Sequence, residues 1–278
     1  MSGILYVTGT PIGNLEDITL RQLRILEEVD FIAAEDTRVT RKLLTHFELK
    51  TPLVSYHDHS GIAAAQAIAD RIAAGENCAI VTDAGMPCIS DPGEDLVRIC
   101  RERGISVQAV PGPSAVVTAL AVSGGSTAQF TFYGFLPVDK KPRRAMLTEL
   151  AAQTHTAILY EAPHKLCRTI ADLQAACGGA RTVAFCRELT KLHEEVRRMT
   201  LDEAAAYYEA NAPRGEFVLV LEGASPVQSE VTAADAVKIA KTYLEQGMSA
   251  TAAAKLAAKE TGCTKNEIYR LLHEEENG

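Results

Sequence analysis

Apolar positions in the first half of the chain form short runs that alternate with longer amphipathic segments. Short apolar runs are typical of buried strands, and apolar residues that recur every three or four positions are typical of helices packed on a sheet. The predicted strands are 4–8, 31–34, 53–56, 79–82 and 107–110, and the predicted helices are 20–28, 39–46, 62–74, 94–103 and 114–122. This alternation predicts a mostly parallel sheet with helices on both faces.

The second half repeats both kinds of segment after a break at residues 136–142, where two prolines bracket polar residues. The predicted strands here are 130–134, 157–160, 182–187, 195–199 and 217–221, and the predicted helices are 143–152, 165–176 and 202–210. Two consecutive strands on either side of residues 191–194 predict a hairpin, and hence a mixed sheet. We therefore expect an α/β fold with one domain over residues 1–136 and a second over residues 137–224.

The C-terminal part of the chain carries a helical pattern only. A polar stretch at 224–229 is typical of a linker, and helices are predicted at 233–245, 250–259 and 265–274. A turn containing Gly262 and an N-capping Thr264 precede the last helix, as in a helix-turn-helix. A small helical bundle used for packing or dimer contacts fits residues 230–278 equally well.

Composition narrows the class of protein. Of the 278 residues, 47% are hydrophobic, which is enough for a real core, and no apolar run approaches a membrane span. A strand begins directly after Gly3, so we expect no signal peptide. The seven cysteines form no C-x-x-C pair. That spacing favours a reduced, cytoplasmic protein and disfavours a zinc site, so we expect no metal. Because no apolar run is long enough to span a membrane, we also expect no membrane partner.

Three predicted strands end in loops rich in glycine and proline, and each loop leads into a helix. The loops are residues 9–15, 83–93 and 111–115. Open α/β sheets bind ligands beyond the carboxyl ends of their strands. The loops lack the spacing of a dinucleotide or mononucleotide fingerprint. They predict a site for a small ligand whose binding does not depend mainly on a pyrophosphate group. The alternative is that the loops are tight strand-to-helix connections that bind no ligand.

Five motifs lie between Ile4 and Gly223: residues 10–21 (TPIGNLEDITLR), 34–38 (AEDTR), 55–59 (SYHDH), 160–165 (YEAPHK) and 187–191 (RELTK). Together they resemble the tetrapyrrole methylase superfamily, the class III S-adenosylmethionine methyltransferases. The first loop has the form of the ribosomal RNA branch, whereas small-molecule members tend to begin with G-x-G-x-G. The resemblance implies S-adenosylmethionine in a cleft between two α/β domains, a homodimer, and a C-terminal extension that is helix-turn-helix-like.

Candidate contacts to this cofactor follow from its chemistry. An adenine ring suits an apolar slot, a carboxylate suits the N–H groups at a helix start, and an ammonium or ribose hydroxyl suits an acid. Asp83 and Tyr160 are expected on opposite sides of the cleft, and Asp83 has the alternative role of holding its turn. The full set of candidates is Pro11, Asp83, Gly85, Met86, Ile89, Ser114, Ala115 and Tyr160.

Candidate catalytic residues are Glu188 and Lys191, which lie just past a predicted strand. A ribose hydroxyl is a poor nucleophile and needs its proton removed, and a lysine does this only when it is neutral. Glu161, Glu35 and Asp36 are rival bases, and each fits a structural ion pair as well.

The net charge of −8 argues mildly against a nucleic-acid partner, so any RNA contacts are expected at local clusters of basic residues. A basic cluster placed at the expected interdomain connection is the strongest of them. The candidates are Arg38, His57, His59, Lys140, Lys141, Arg143, Arg144 and Arg187. Any one basic cluster has the alternative reading of a solvated surface.

The leading hypothesis, as the resemblance implies, is 2′-O-methylation of a cytidine in the decoding region of 16S ribosomal RNA within the small ribosomal subunit. A second hypothesis is methylation of a tetrapyrrole or another small molecule, which the acidic net charge favours. A third is a helix-turn-helix regulator whose α/β body senses a ligand. The third needs a basic recognition helix, and the last predicted helix is acidic.

Overall fold

The computed structural model describes residues 2–224, 233–261 and 263–276. Each end of every predicted strand lies within one residue of the observed end. The strands are β1 (Ile4–Thr8), β2 (Phe31–Ala34), β3 (Leu53–Ser55), β4 (Cys78–Val81), β5 (Ser106–Val110), β6 (Phe130–Phe135), β7 (Thr156–Glu161), β8 (Thr182–Arg187), β9 (Glu195–Thr200) and β10 (Phe217–Leu221).

The predicted helices are also present, with ends that shift by up to three residues. They are α1 (Leu20–Glu28), α2 (Thr37–His46), α3 (Gly61–Ala73), α4 (Glu94–Glu102), α5 (Ala115–Val122), α6 (Lys140–Ala152), α7 (Leu166–Cys177), α8 (Leu201–Ala210), α9 (Ala233–Glu245), α10 (Ala250–Thr261) and α11 (Lys265–Glu276). Across the described ranges, no helix has the length and apolar character that a membrane crossing requires.

The first sheet is parallel throughout, with the strand order β3-β2-β4-β1-β5. Helices α3 and α4 cover one face and α1 and α2 cover the other, so apolar residues are buried on both sides. Strands β1, β4 and β5 are neighbours, and their carboxyl ends therefore lie side by side. This order places the three glycine- and proline-rich loops next to one another at the carboxyl end of the sheet.

The second sheet is mixed, as predicted, with the order β6-β7-β10-β8-β9. Strands β6 and β7 are parallel and the remaining pairs are antiparallel, including the predicted β8–β9 hairpin. One face packs on α6, α7 and α8 around Leu150, Leu159, Phe185 and Leu219. The α/β fold class is therefore confirmed for both halves of the chain.

Helix α5 joins the two sheets. It follows β5 of the first sheet, but Val116 and Leu120 pack with Ile158 and Val220 on the second sheet. Cys186 Sγ lies 3.7 Å from the Ala119 carbonyl oxygen, which shows how closely the helix approaches β8. Residues up to Ala224 consequently form one compact unit. The division into domains 1–136 and 137–224 stays a prediction.

The second compact unit begins after Ala224 and contains α9, α10 and α11. These helices bury a core of their own, formed by Ala236, Val237, Ala240, Ala253, Ala254, Ala257, Ile268 and Leu272. The predicted linker at 224–229, apart from Ala224, and the predicted turn glycine, Gly262, lie outside the described residues. Three helices around a shared core are compatible with both a helix-turn-helix and a small bundle.

Candidate active site

The loops after β1, β4 and β5 touch one another at the carboxyl edge of the first sheet. Thr10 and Gly85 exchange two backbone hydrogen bonds, with N···O distances of 2.9 and 3.1 Å. A Cβ atom on Gly9 would lie 2.8 Å from both the Gly112 Cα and the Met86 sulfur. Residues without a side chain are therefore needed where these backbones cross.

A cavity of about 450 Å³ lies between these loops and the second sheet. Its walls are mostly apolar, with a few polar groups. The first half of the chain contributes Ile12, Ala84, Ser90, Asp91 and Ala115, and the second half contributes Phe135, Tyr160, Glu161, Ala162, Pro163, Cys186, Leu189, Glu216, Phe217 and Val218. A mainly apolar cleft with a few convergent polar groups is typical of small-molecule sites.

The candidate cofactor residues take different positions around this cavity. Ala115 and Tyr160 line it, whereas Pro11 and Asp83 line a neighbouring pocket of about 210 Å³. Ile89 is exposed. Ser114 is the N-cap residue of α5 and makes no side-chain capping bond, so it leaves the N–H groups of the first turn uncapped.

An aromatic cluster forms the cavity wall on the second sheet. The Tyr160 ring lies 5.0 Å from the Phe132 ring and 5.6 Å from the Phe135 ring, centroid to centroid. Burial, with a smaller effect from the Asp91 charge, raises the pKa of Tyr160 to about 12. Its hydroxyl therefore keeps its proton at neutral pH. Phe135 is 53% exposed, so an aromatic face is open to a ligand at the cavity mouth.

Two loops beside the cavity hold residues with unusual backbone angles. In the loop after β4, Cys88 and Ser90 have φ values of 71° and 62°. In the loop after β8, Glu188 and Thr190 have φ values of 51° and 66°. Residues other than glycine rarely adopt these angles, and they persist where the surrounding structure compensates for the strain, often at functional sites.

Asp91 is an acidic cavity residue that sequence reasoning missed. Burial, followed by repulsion from Glu35, raises the pKa of its carboxyl to about 6. Asp91 also lines an adjoining polar pocket of about 200 Å³, together with Tyr56, His57, Asp58, Gly61, Pro92, Gly93, Glu94 and Asp95. Its sequence, Ser90-Asp91-Pro92-Gly93, is typical of a turn and carries no catalytic spacing. Only the fold brings Glu35 and Asp91 together.

Glu188 and Lys191 form an ion pair rather than a free base. The Lys191 ammonium lies 2.9 Å from Glu188 Oε1 and 2.7 Å from Glu216 Oε2. Burial alone would lower the pKa of Lys191, but its hydrogen bonds to Glu216 and Glu188 outweigh burial and raise that pKa. Burial alone would raise the pKa of Glu188, but hydrogen bonds from the Glu216 N–H and from Lys191 outweigh burial and lower that pKa. Lys191 is charged, and this does not fit a neutral general base.

The basic cluster at residues 140–144 is divided by helix α6. Lys140, Lys141 and Arg144 are exposed in its first turns. Arg143 is buried instead, where its guanidinium bonds Asp172 Oδ2 at 2.8 Å and Thr169 Oγ1 at 3.1 Å. The prediction that Arg143 contacts RNA is corrected here, since its donors face the protein interior.

The remaining RNA candidates differ in their exposure and in whether other residues of the protein already bind them. His57 and His59 are exposed, and their rings lie 6.2 Å apart. Arg38 is exposed, but its guanidinium bonds Asp36 and lowers the pKa of that acid to about 2. Arg187 is occupied within the hairpin, where it donates to the carbonyl oxygen of His193 and lies 3.6 Å from Glu195. In the described part of the chain, no three His, Cys, Asp or Glu side chains are placed to hold a metal ion.

Solved structures show where this fold recurs. One is a uroporphyrin-III C-methyltransferase from Thermus thermophilus, complexed with S-adenosyl homocysteine; it has a TM-score of 0.56 at 18% identity and covers 78% of this chain and 92% of its own. Another is a diphthine synthase with a TM-score of 0.61 at 13% identity, which covers 80% of this chain and 90% of its own. At these identities the likeness establishes the fold alone.

Sequence comparison gives a narrower result. The family model for tetrapyrrole (corrin/porphyrin) methylases matches residues 4–205. A ribosomal RNA small subunit methyltransferase I from Synechocystis sp. is 45% identical over 97% of this chain and 97% of its own length. A protein of the same name from Halalkalibacterium halodurans is 44% identical over 98% of this chain and 96% of its own length. The chain therefore belongs to the tetrapyrrole methylase family, and within it to the group of ribosomal RNA small subunit methyltransferase I proteins.

Proposed function

We propose that this protein transfers a methyl group from S-adenosylmethionine to ribosomal RNA of the small subunit. The observation that carries the proposal is the near full-length identity of 40–45% to proteins named for that activity. The cavity between the two sheets supplies the place where a donor and an acceptor can meet.

The cavity residues fit S-adenosylmethionine. A volume of about 450 Å³ lies within the range of small-molecule sites, roughly 300–1,000 Å³. The apolar walls at Ala84, Ala162 and Val218 suit an adenine ring. The uncapped N–H groups at the start of α5 suit the carboxylate of the donor. The donor supplies an activated methyl group, and the protein aligns the acceptor with it and excludes water.

The acceptor that we propose is the ribose 2′-hydroxyl of a cytidine in the decoding region of 16S ribosomal RNA. The form of the first loop, residues 10–14, supports the ribosomal RNA branch over the small-molecule branch. A cavity open at Phe135 supports a nucleotide acceptor, because an exposed aromatic ring can stack on an unpaired base. The ribosomal substrate in turn supports a cytoplasmic location.

Helix α6 is the proposed binding surface for RNA phosphates. Lys140 and Lys141 occupy its first turn, which contains no acid. Cations at a helix N-terminus oppose the helix dipole, so this placement does not serve helix stability. The N-cap residue Asp139 makes no side-chain capping bond, so it leaves the N–H groups of Lys140 and Lys141 uncapped, and these favour an anion. Phe135 lies five residues before Lys140 and borders the cavity, so RNA held at α6 lies close to the donor site.

We expect a triple variant, Lys140→Ala, Lys141→Ala and Arg144→Ala, to bind small-subunit RNA more weakly and with less dependence on salt. Each lost phosphate contact lowers the slope of log affinity against log salt by about 0.7 for a single strand, so three contacts lower it by about 2. Filter binding at a series of salt concentrations measures that slope.

A matched control removes the same charge at the opposite edge of the first sheet, with Lys50→Ala, Arg101→Ala and Arg103→Ala. These side chains are exposed and precede β3 and β5, so they lie away from the cleft. We expect the control to keep the wild-type slope. Equal slopes for both triple variants would show that the α6 cations are only a solvated surface.

We further propose that the protein is a homodimer. Exposed apolar side chains such as Leu20, which is 87% exposed, and Val117, which is 52% exposed, are available for such an interface. The family resemblance implies the same assembly.

The experiment that tests the proposed function is mass mapping of ribose methylation in 16S ribosomal RNA from cells with and without this protein. We expect one cytidine in the decoding region to lose its 2′-O-methyl group in the deletion strain and to regain it on complementation. An unchanged methylation map would refute the ribosomal target. In that case, transfer of labelled methyl to a tetrapyrrole would support the small-molecule hypothesis.

A further inference from the structure

A hydroxyl acceptor must lose its proton when it is methylated, and most acids near the cavity are engaged elsewhere. Glu188 accepts from Lys191 and from the Glu216 N–H. Glu161 is buried, and its two carboxylate oxygens accept from the Ala162 N–H at 2.8 Å and the Thr169 hydroxyl at 2.5 Å. These hydrogen bonds indicate structural roles for the carboxylates of Glu188 and Glu161.

The acids at the end of β2 are engaged as well. Glu35 accepts a hydrogen bond from the Thr82 hydroxyl at 2.5 Å and another from the Asp83 N–H at 3.3 Å. Asp36 is held by the Arg38 guanidinium. Neither carboxylate lines the main cavity.

Asp91 differs from these acids in position, and a hydrogen bond from the Thr82 hydroxyl opposes the rise in its pKa that burial causes. It lines the main cavity beside Ser90 and Ala84, and it also lines the polar pocket that holds His57. It therefore stands where the two spaces join. Within the described ranges, no cation forms an ion pair with it. The strained turn that carries it, with Ser90 at a positive φ, aims a short loop at the cavity.

We propose that the Asp91 carboxylate is the general base that takes the proton from the acceptor hydroxyl. The proposal rests on the proposed function, since it needs a hydroxyl acceptor at the cavity. The hydroxyl oxygen forms a bond to the methyl carbon while the methyl–sulfur bond breaks, and that electron pair stays on sulfur as a neutral thioether. The hydroxyl proton passes to an Asp91 oxygen and then to water at the cavity mouth.

The groups that face Asp91 tune it for this role. Glu35 and Asp83 lie at the ends of β2 and β4, Asp58 follows β3, and Tyr160 faces it from the second sheet. On its own side, Cys88 shares the Asp91 loop and interacts with the Asp91 charge. Glu94 and Asp95 begin α4 and line the polar pocket with His57. Burial and the neighbouring carboxylates hold the Asp91 pKa near 6. A base of this strength is mostly ionised at pH 7.5 and is more basic than an ordinary aspartate.

The test compares Asp91→Asn and Asp91→Glu with wild type in single-turnover methylation of small ribosomal subunits between pH 5 and 9. We expect the wild-type rate to rise with pH and level off above an apparent pKa near 6. We expect Asp91→Asn to lose about 100- to 10,000-fold in rate, the usual contribution of a general base, and Asp91→Glu to recover part of it. Asp70→Asn, on the exposed side of α3, controls for the loss of one carboxylate.

Two measurements without turnover separate a chemical role from a structural one. Calorimetry with S-adenosylhomocysteine should give the same affinity for wild type and Asp91→Asn. Carbon-13 NMR of the free protein should show one aspartate carboxyl that titrates near pH 6 and is missing in Asp91→Asn. A carboxyl that titrates at the ordinary aspartate value would overturn the proposal, and so would a variant rate within threefold of wild type.

Failure of this inference and failure of the proposed function give different results. If wild-type protein transfers no methyl group to ribosomal RNA, the proposed function is wrong and the assigned role of Asp91 is wrong with it. If wild type is active and Asp91→Asn keeps its rate and pH profile, only the assignment of Asp91 is wrong.

Discussion

The Ala84→Leu variant is expected to lose roughly 100-fold in affinity for S-adenosylhomocysteine, because overpacking a fitted site costs about 1–3 kcal/mol and 1.4 kcal/mol is a factor of ten. Ala84 lines the main cavity and its side chain is exposed to that space. Three extra carbon atoms there occupy the volume that we assign to the donor. Titration calorimetry measures the change directly.

Ala84 is a better site for this test than Gly85. Gly85 has a φ of +93°, so any side chain there strains the backbone of the loop as well as filling space. Loss of binding in a Gly85→Leu variant would therefore have two explanations. The matched control is Ala63→Leu, the same substitution at an exposed position of α3. Wild-type affinity in Ala84→Leu would mean that the donor lies elsewhere.

The Arg143→Ala variant is expected to lose about 3 kcal/mol in the free energy of unfolding, since it breaks a buried ion pair and leaves Asp172 only the longer contact of 3.9 Å with Arg168. The Arg143 side chain is 9% exposed and that of Asp172 is 34% exposed, so the loss falls at the lower end for buried pairs. The bond to Thr169 and a third one, to the Pro137 carbonyl oxygen, are lost as well. Urea denaturation measures this difference.

Arg144→Ala is the matched control for this prediction, one residue further along the same helix. Its side chain is exposed, and substitutions of that kind usually change the unfolding free energy by no more than about 0.5 kcal/mol. A stable Arg143→Ala variant with weaker RNA binding would reverse our correction and restore Arg143 to the RNA surface.

The sequence predicted the strands well because their signal is local. A run such as Cys78–Val81 is apolar at every position, and only a strand buried on both faces needs this. The start of α6 was predicted less well. Pro142 indicated a break, and the helix was expected to begin at Arg143, but proline is tolerated in the first turn of a helix and α6 begins at Lys140.

The candidate site was predicted in outline by the loops after β1, β4 and β5. Strand order explains both the success and its limit. Loops at the carboxyl ends of parallel strands fall on one edge wherever the strands lie, so their meeting was predictable. Of the opposite wall, Tyr160 was predicted, but Phe135 and Ala162 were not, because they lie on or beside a sheet whose packing depends on α5 crossing from the first half.

By itself, the sequence determined the period of every element, the turn chemistry at the strand ends, and the family through its five motifs, since these depend on neighbours along the chain. Tertiary structure alone decided the state of each charged group. Arg143 and Arg144 are adjacent and identical, yet only Arg143 meets α7 and is buried. Lys191 is charged because Glu188 and Glu216 converge on it. Asp91 is a strong candidate base because burial and Glu35, 56 positions away in the chain, act on it together. Burial and electrostatic repulsion depend on distance in space, which spacing in the sequence does not specify.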